Sequence, residues 1–117
     1  ANRLVQLLVQ VDLAGEDTKF GAREDELAAV FEAARRNRSA QVVGLMLLPP
    51  AVDDAEQARP YFRALREVRD RLLARGIDLS TLGELSMGMS HDFEVAVEEG
   101  ATLVRVGTAI FGHRGRI

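Results

Sequence analysis

The stretch that decides the fold runs Leu85-Ser-Met-Gly-Met-Ser90, then His91-Asp-Phe-Glu-Val-Ala-Val-Glu-Glu-Gly100, then Ala101-Thr-Leu-Val-Arg-Val-Gly-Thr-Ala-Ile-Phe-Gly112. Residues 85–87 read as a short buried strand running into Gly88, where a side chain would crowd an approaching ligand. Ser90 can cap the helix that follows. Phe93, Ala96 and Val97 form its apolar face, and Gly100 ends it. Residues 103–106 read as a second strand, stopped by Gly107, with Thr108 opening a single helical turn. Both strands therefore end in a hydroxyl-and-glycine turn that opens a helix. Free backbone N–H groups and the helix dipole favour an anion at such turns. Arg105 is a charge inside the second, otherwise apolar strand. It must either pair with a carboxylate, Glu84 being a strand-end choice, or face a ligand.

Outward from this stretch the same alternation continues. Residues 4–11 are apolar at nearly every position, the mark of a strand covered on both faces. After a polar loop, Glu24 or Asp25 opens a helix with Leu27, Val30, Phe31 and Ala34 at helical spacing, ending near Asn37. Residues 41–48 form the next strand, stopped by Pro49-Pro50. The longest helix follows, with Pro60 in its first turn and a frayed turn over residues 54–59 ahead of it. Phe62, Leu65, Val68 or Arg69, and Leu72 make its buried stripe, and Gly76 closes it. The result is β-α-β-α-β-α-β, an α/β class chain with a parallel sheet. A small open doubly wound sheet and half of an eight-stranded (β/α) barrel both satisfy that pattern. A full barrel takes about 250 residues and typically builds its phosphate site after its last two strands. The two anion-ready turns sit after the last two strands here, so the half-barrel fits better.

The motif Leu-Ser-Met-Gly-Met-Ser-x-Asp-Phe-Glu, the Gly-Ala-Thr step and Val-Arg-Val-Gly-Thr-Ala-Ile-Phe-Gly resemble the end of the YggS/PROSC family of pyridoxal 5′-phosphate (PLP) homeostasis proteins. Long motifs of mixed polar and apolar type rarely recur by chance. The resemblance implies the C-terminal half of a TIM-type barrel of the alanine racemase-like PLP-binding fold. It implies that the N-terminal half, with its Schiff-base lysine, is absent from these 117 residues. By the same resemblance Ser86, Gly107 and Thr108 would hold the PLP phosphate, with Met87 of the same strand also at the cofactor. Met89 and Ser90 are lesser candidates, and a plain helix cap is the preferred reading of Ser90. Arg105 would face the pyridine nitrogen. Arginine only donates, so it selects an unprotonated nitrogen and weakens the ring as an electron sink. That suits a non-catalytic PLP carrier that supplies PLP-dependent apo-enzymes. The alternative is an amino-acid racemase of the alanine racemase fold.

The remaining residues narrow the choice. Net charge is −3 and the basic residues lie among acids, which gives no nucleic-acid patch. The lack of cysteine removes thiolate chemistry and disulfides and is compatible with the cytoplasm. Residues 4–11 are too short, and too interrupted by Gln6 and Gln10, for a signal peptide or a membrane span. Lys19 is the only lysine and is expected to neutralise Glu16 and Asp17 in a solvated loop. Asp12, Glu16 and Asp17 match no calcium loop. His91 and His113 lack metal-ligand spacing and are expected at the surface. Tyr61, a conceivable second base for a racemase, is expected to pack instead. A half-barrel leaves open edges and unmet inward side chains on the strands that hold Leu7, Val9, Val43, Leu45, Leu85 and Val104. The expected partner is the missing half or, failing that, a second copy.

Overall fold

The computed structural model describes residues 5–13, 21–50 and 52–105. Four strands, β1 (Val5–Val11), β2 (Ala40–Leu47), β3 (Glu84–Met89) and β4 (Leu103–Arg105), alternate with α1 (Glu24–Arg35), α2 (Arg59–Ala74) and α3 (Phe93–Glu98). Single 3-10 turns precede α2 at Ala55–Ala58 and β3 at Leu79–Thr81. All neighbouring strands are parallel, in the order β1-β2-β3-β4. That order decides between the two architectures. A doubly wound sheet reverses its strand order to place helices on both faces, whereas consecutive right-handed crossovers keep every helix on one side. Leu27 and Phe31 of α1, Phe62, Leu65, Val68 and Leu72 of α2, and Val95 and Ala96 of α3 share one core with Val11, Leu45, Leu47, Leu85 and Met87 of the sheet. The fold is a partial parallel (β/α) barrel.

α1 and α2 bury the apolar residues their spacing predicts. α3 instead buries Val95 and Ala96 and leaves Val97 exposed, which corrects the expected face of Phe93, Ala96 and Val97. Local chemistry sets the helix ends. Asp54 accepts the Glu56 N–H at 3.0 Å ahead of the 3-10 turn that leads into α2. α2 stops where Ile77 N–H donates to Leu72 O and Gly76 N–H to Leu73 O, both at 3.1 Å. α3 ends the same way, on Ala101 N–H to Ala96 O at 2.9 Å and Gly100 N–H to Val97 O at 3.0 Å. Each is a Schellman turn, which satisfies the last helical carbonyls.

Two irregularities shift which side chains face the helices. Leu7 pairs with Val42 but Leu8 pairs with Gly44, so Val43 is an extra residue on β2. This bulge lets Val42 join Leu45 and Leu47 in the core, although strict alternation would exclude it. It occurs where β2 passes closest to β3, since a Cβ on Gly44 would lie 1.9 Å from Glu84 O. The second shift lies in β3, where Ser86 pairs with Leu103 but Met89 pairs with Arg105. The expectation that Leu45 and Leu85 belong to the side awaiting partners is therefore corrected. Both are fully buried beneath the helices, and Val9 and Val104 pack on the same core. The exposed apolar residues on or beside the strands are Val5, Leu7, Leu48, Met89 and Leu103.

Candidate functional site

β3 and its turn are built from alternation and then one break in it. Leu85 and Met87 enter the helix-facing core, and Ser86 lies on the opposite face, buried but with no side-chain hydrogen bond among the described residues. Gly88 follows with φ +103°, a conformation that L side chains rarely adopt. A Cβ there would come within 2.6 Å of the Ala96 Cβ. The glycine is thus needed for the approach of α3, besides lining the cavity described below. The extra residue at this point turns Met89 away from the core, so that it is exposed beside its register partner Arg105. Met87, one of the expected cofactor residues, offers only its backbone, because its side chain is packed under the helices.

The turn between β3 and α3 is held by a residue that sequence reasoning missed. Asp92, 4% exposed, occupies the N-cap position of α3, but its side chain turns back to the strand and accepts the Met89 N–H at 2.7 Å through Oδ1 rather than a helix N–H. Ser90 stands two residues before this position and makes no side-chain hydrogen bond among the described residues, so the expected Ser90 cap is not formed. The available signal was an aspartate three residues after Met89, a spacing at which a short carboxylate side chain can accept a backbone N–H of its own turn.

β4 is tied to β3 at its start. Thr102 N–H donates to Leu85 O at 2.9 Å, and Leu85 N–H donates to Thr102 Oγ1 at 2.8 Å. From this anchor Val104 faces the core and Leu103 and Arg105 face the other way, by the period of a strand. Arg105 is exposed and makes no ion pair among the described residues; the suggested partner Glu84 is not within reach. It lines a cavity of about 240 Å³ beyond the ends of β2, β3 and β4. Leu47, Pro49, Pro50 and Val52 give this cavity an apolar wall; Gly88, Met89, His91 and Asp92 supply the turn side. Ser86 lies deeper along β3, at the Leu103 level, and does not line it. Gly107 and Thr108, the other two expected phosphate contacts, lie outside the described residues, as do Glu16, Asp17, Lys19 and His113. Tyr61 is half-buried against the core, as expected of a packing residue. No metal-holding cluster occurs among the described residues. None of the described helices is long and apolar enough to cross a membrane.

An ionic clasp fixes α3 to α2. Glu99, at the end of α3, is 4% exposed and accepts from Arg59 at 2.7 Å and from Arg63 at 3.2 Å. Arg66 adds a bond to the Glu99 main-chain carbonyl at 3.2 Å. Hydrogen bonds from Arg63 and Arg59 draw the Glu99 carboxyl down from its ordinary 4.5 to about 2. The charge is buried, but three guanidinium groups meet it.

Comparison with known proteins follows the geometry. The family model for the alanine racemase N-terminal domain matches residues 1–115. The pyridoxal phosphate homeostasis protein of Aquifex aeolicus is 50% identical over 114 residues, covering 97% of this chain and 49% of that protein. The protein of the same name from Vibrio alginolyticus is 40% identical over 110 residues, covering 94% of this chain and 46% of that one. The solved structure of PipY from Synechococcus elongatus, with PLP bound, superposes with a TM-score of 0.79 at 34% identity, over 94% of this chain and 50% of PipY. The chain spans about half the length of the relatives it matches. The resemblance to YggS/PROSC proteins read from residues 85–112 is borne out by these matches.

Proposed function

This chain belongs to the alanine racemase N-terminal domain family, and from that premise we propose that it forms part of a non-catalytic PLP-binding protein of the homeostasis type. The observation that carries the reading is Arg105, a permanent cation in an apolar-walled cavity at the ends of parallel strands, with no carboxylate within ion-pair distance among the described residues. An arginine in such surroundings calls for an anion or a strong acceptor. The donor set fits PLP. A flat ring suits the wall of Leu47, Pro50 and Val52, and its pyridine nitrogen is an acceptor that Arg105 can serve. Bound PLP supplies a reactive aldehyde on an electron-withdrawing ring. Arg105 restrains that chemistry, because a donor at the pyridine nitrogen holds it unprotonated. Ser86, Gly107 and Thr108 are assigned to the phosphate by resemblance. The Met87 backbone completes β3 beside Ser86.

That PipY has been solved both with and without PLP supports a reversible holder. In this reading the chain contributes the phosphate and pyridine-nitrogen contacts, while the lysine that carries the cofactor comes from the other half of the barrel. Its partners would be PLP and, in the cytoplasm, PLP-dependent apo-enzymes. Equilibrium dialysis of the intact protein against PLP, with absorbance as readout, tests the proposal. Retained cofactor with a shifted spectrum is expected; intact protein that holds no PLP overturns it.

A further inference from the structure

We propose that Asp92 is a positioning residue for Arg105, fastening the end of β3 against which Arg105 is set. The inference rests on the PLP reading above and gives a role to a buried carboxylate that the reading does not use. Asp92 borders the cavity yet is 4% exposed, so almost none of it is open to solvent. Two of its polar groups go to a single residue. Oδ1 accepts the Met89 N–H at 2.7 Å, and the Asp92 N–H donates to Met89 O at 3.1 Å. Both main-chain polar groups of Met89 are thereby engaged by Asp92. The Asp92 carbonyl in turn accepts the Ala96 N–H at 3.1 Å, which starts α3. One residue therefore joins the strand end to the helix.

This joint holds the last register step of the sheet. Met89 stands opposite Arg105, after the shift that separates this pair from Ser86 and Leu103. Just before Met89, Gly88 has φ +103° and no side chain to pack. The strand end needs a fastening beyond that glycine, and Asp92 supplies it three residues on. β4 is only Leu103–Arg105 and is anchored at its start by Thr102 on Leu85, so at its far end Arg105 depends on Met89 as its neighbour. A carboxylate that accepts a main-chain N–H makes a charge-assisted bond, stronger than a neutral one. Its removal leaves the part-buried Met89 N–H without a partner and frees the strand end. A binding side chain works only when the groups behind it hold its position. Asp92 touches no ligand in this role; it acts through Met89 on Arg105.

The test uses the intact protein as wild type, Asp92→Ala, Asp92→Asn, Arg105→Ala and the double variant Asp92→Ala with Arg105→Ala. Amide hydrogen exchange without PLP reads the joint directly. The Met89 amide should be protected in wild type and in Asp92→Asn, whose side-chain oxygen accepts the same N–H. Asp92→Ala should remove that protection. PLP affinity and absorbance read the consequence. Asp92→Ala should bind PLP about tenfold more weakly and shift the absorbance in the same direction as Arg105→Ala, while Asp92→Asn stays near wild type. The double variant should lose no more than Arg105→Ala alone, because Asp92 acts through Arg105. Losses that multiply in the double variant overturn the proposal, since they show a contribution to the fold at large. Wild-type affinity in Asp92→Ala overturns it too, as does an unprotected Met89 amide in wild type. Should Asp92→Ala not fold, Asp92→Glu takes its place in every comparison, keeping the charge but moving the acceptor by one methylene. Wild-type protein that binds no PLP overturns the PLP reading itself, a result distinct from the exchange measurement, which is made without PLP.

Discussion

Arg105 and Gly88 sit within one register step of each other and constrain the site in different ways. Arg105 contributes charge. Its replacement by alanine in the intact protein should weaken PLP retention by about tenfold or more and alter the cofactor's absorbance, since a hydrogen bond from a charged donor is lost. Unchanged affinity and spectrum would leave Arg105 a surface residue. Gly88 contributes shape. Gly88→Ala meets both an unfavourable φ of +103° and a contact of 2.6 Å with Ala96, and should cost roughly 1–3 kcal/mol, measured by denaturant unfolding. At this scale the sequence was informative about residue type and less so about orientation. Arg105 was legible as a lone charge in an apolar strand. That Met87 is packed and Met89 exposed was not, because the side chains change face at a bulge that alternation cannot reveal. The bulge at Val43 hid the facing of Val42 in the same way.

Helices were the most legible elements, since apolar residues at 3.6-residue spacing identify the buried stripe of α2 without knowledge of what it covers. The 3-10 turn at Leu79–Thr81 was not, because three residues carry no period. Nor was the clasp between α2 and α3, whose members are 36 and 40 residues apart in sequence. That clasp makes α3 sensitive to acid. Glu99 titrates at about 2 in the folded chain, below its ordinary 4.5. A depressed carboxylate stabilises the fold fully above its unfolded value, and this contribution is lost as pH falls from about 4.5 toward about 2. Thermal melts of wild type and Glu99→Gln should therefore differ most near neutrality and converge on approaching pH 2. A gap that stays constant across that window would show that the charge of Glu99 is not what matters. The Glu24–Arg71 pair, bidentate at 2.7 and 2.9 Å but solvent-accessible, provides a contrast. Glu24→Gln should change stability by no more than about 1 kcal/mol, as exposed pairs do.

At the scale of the whole molecule, consecutive parallel order produces a sheet with every described helix on one side. The alternation of elements and the placement of two glycine turns made a barrel segment legible; which residues face its open side was not, for the reason given by the two bulges. The relatives are about twice as long, and β1 and β4 are both edges of the described sheet. Val5, Leu7, Leu48, Met89 and Leu103 remain exposed on or beside the strands. Burying such surface is worth roughly 25 cal/mol per Å², and unpaired edges accept any available strand. The 117-residue stretch expressed alone should accordingly self-associate, and on the function proposed above, in which the lysine comes from the other half of the barrel, it should fail to retain PLP through dialysis. Adding that half as a separate chain should dissolve the self-association and restore retention. Sedimentation with and without the second chain, followed by dialysis and absorbance, checks both parts. A stable monomer that keeps PLP on its own would place the attachment point within these residues, with Lys19 as the lysine to replace first.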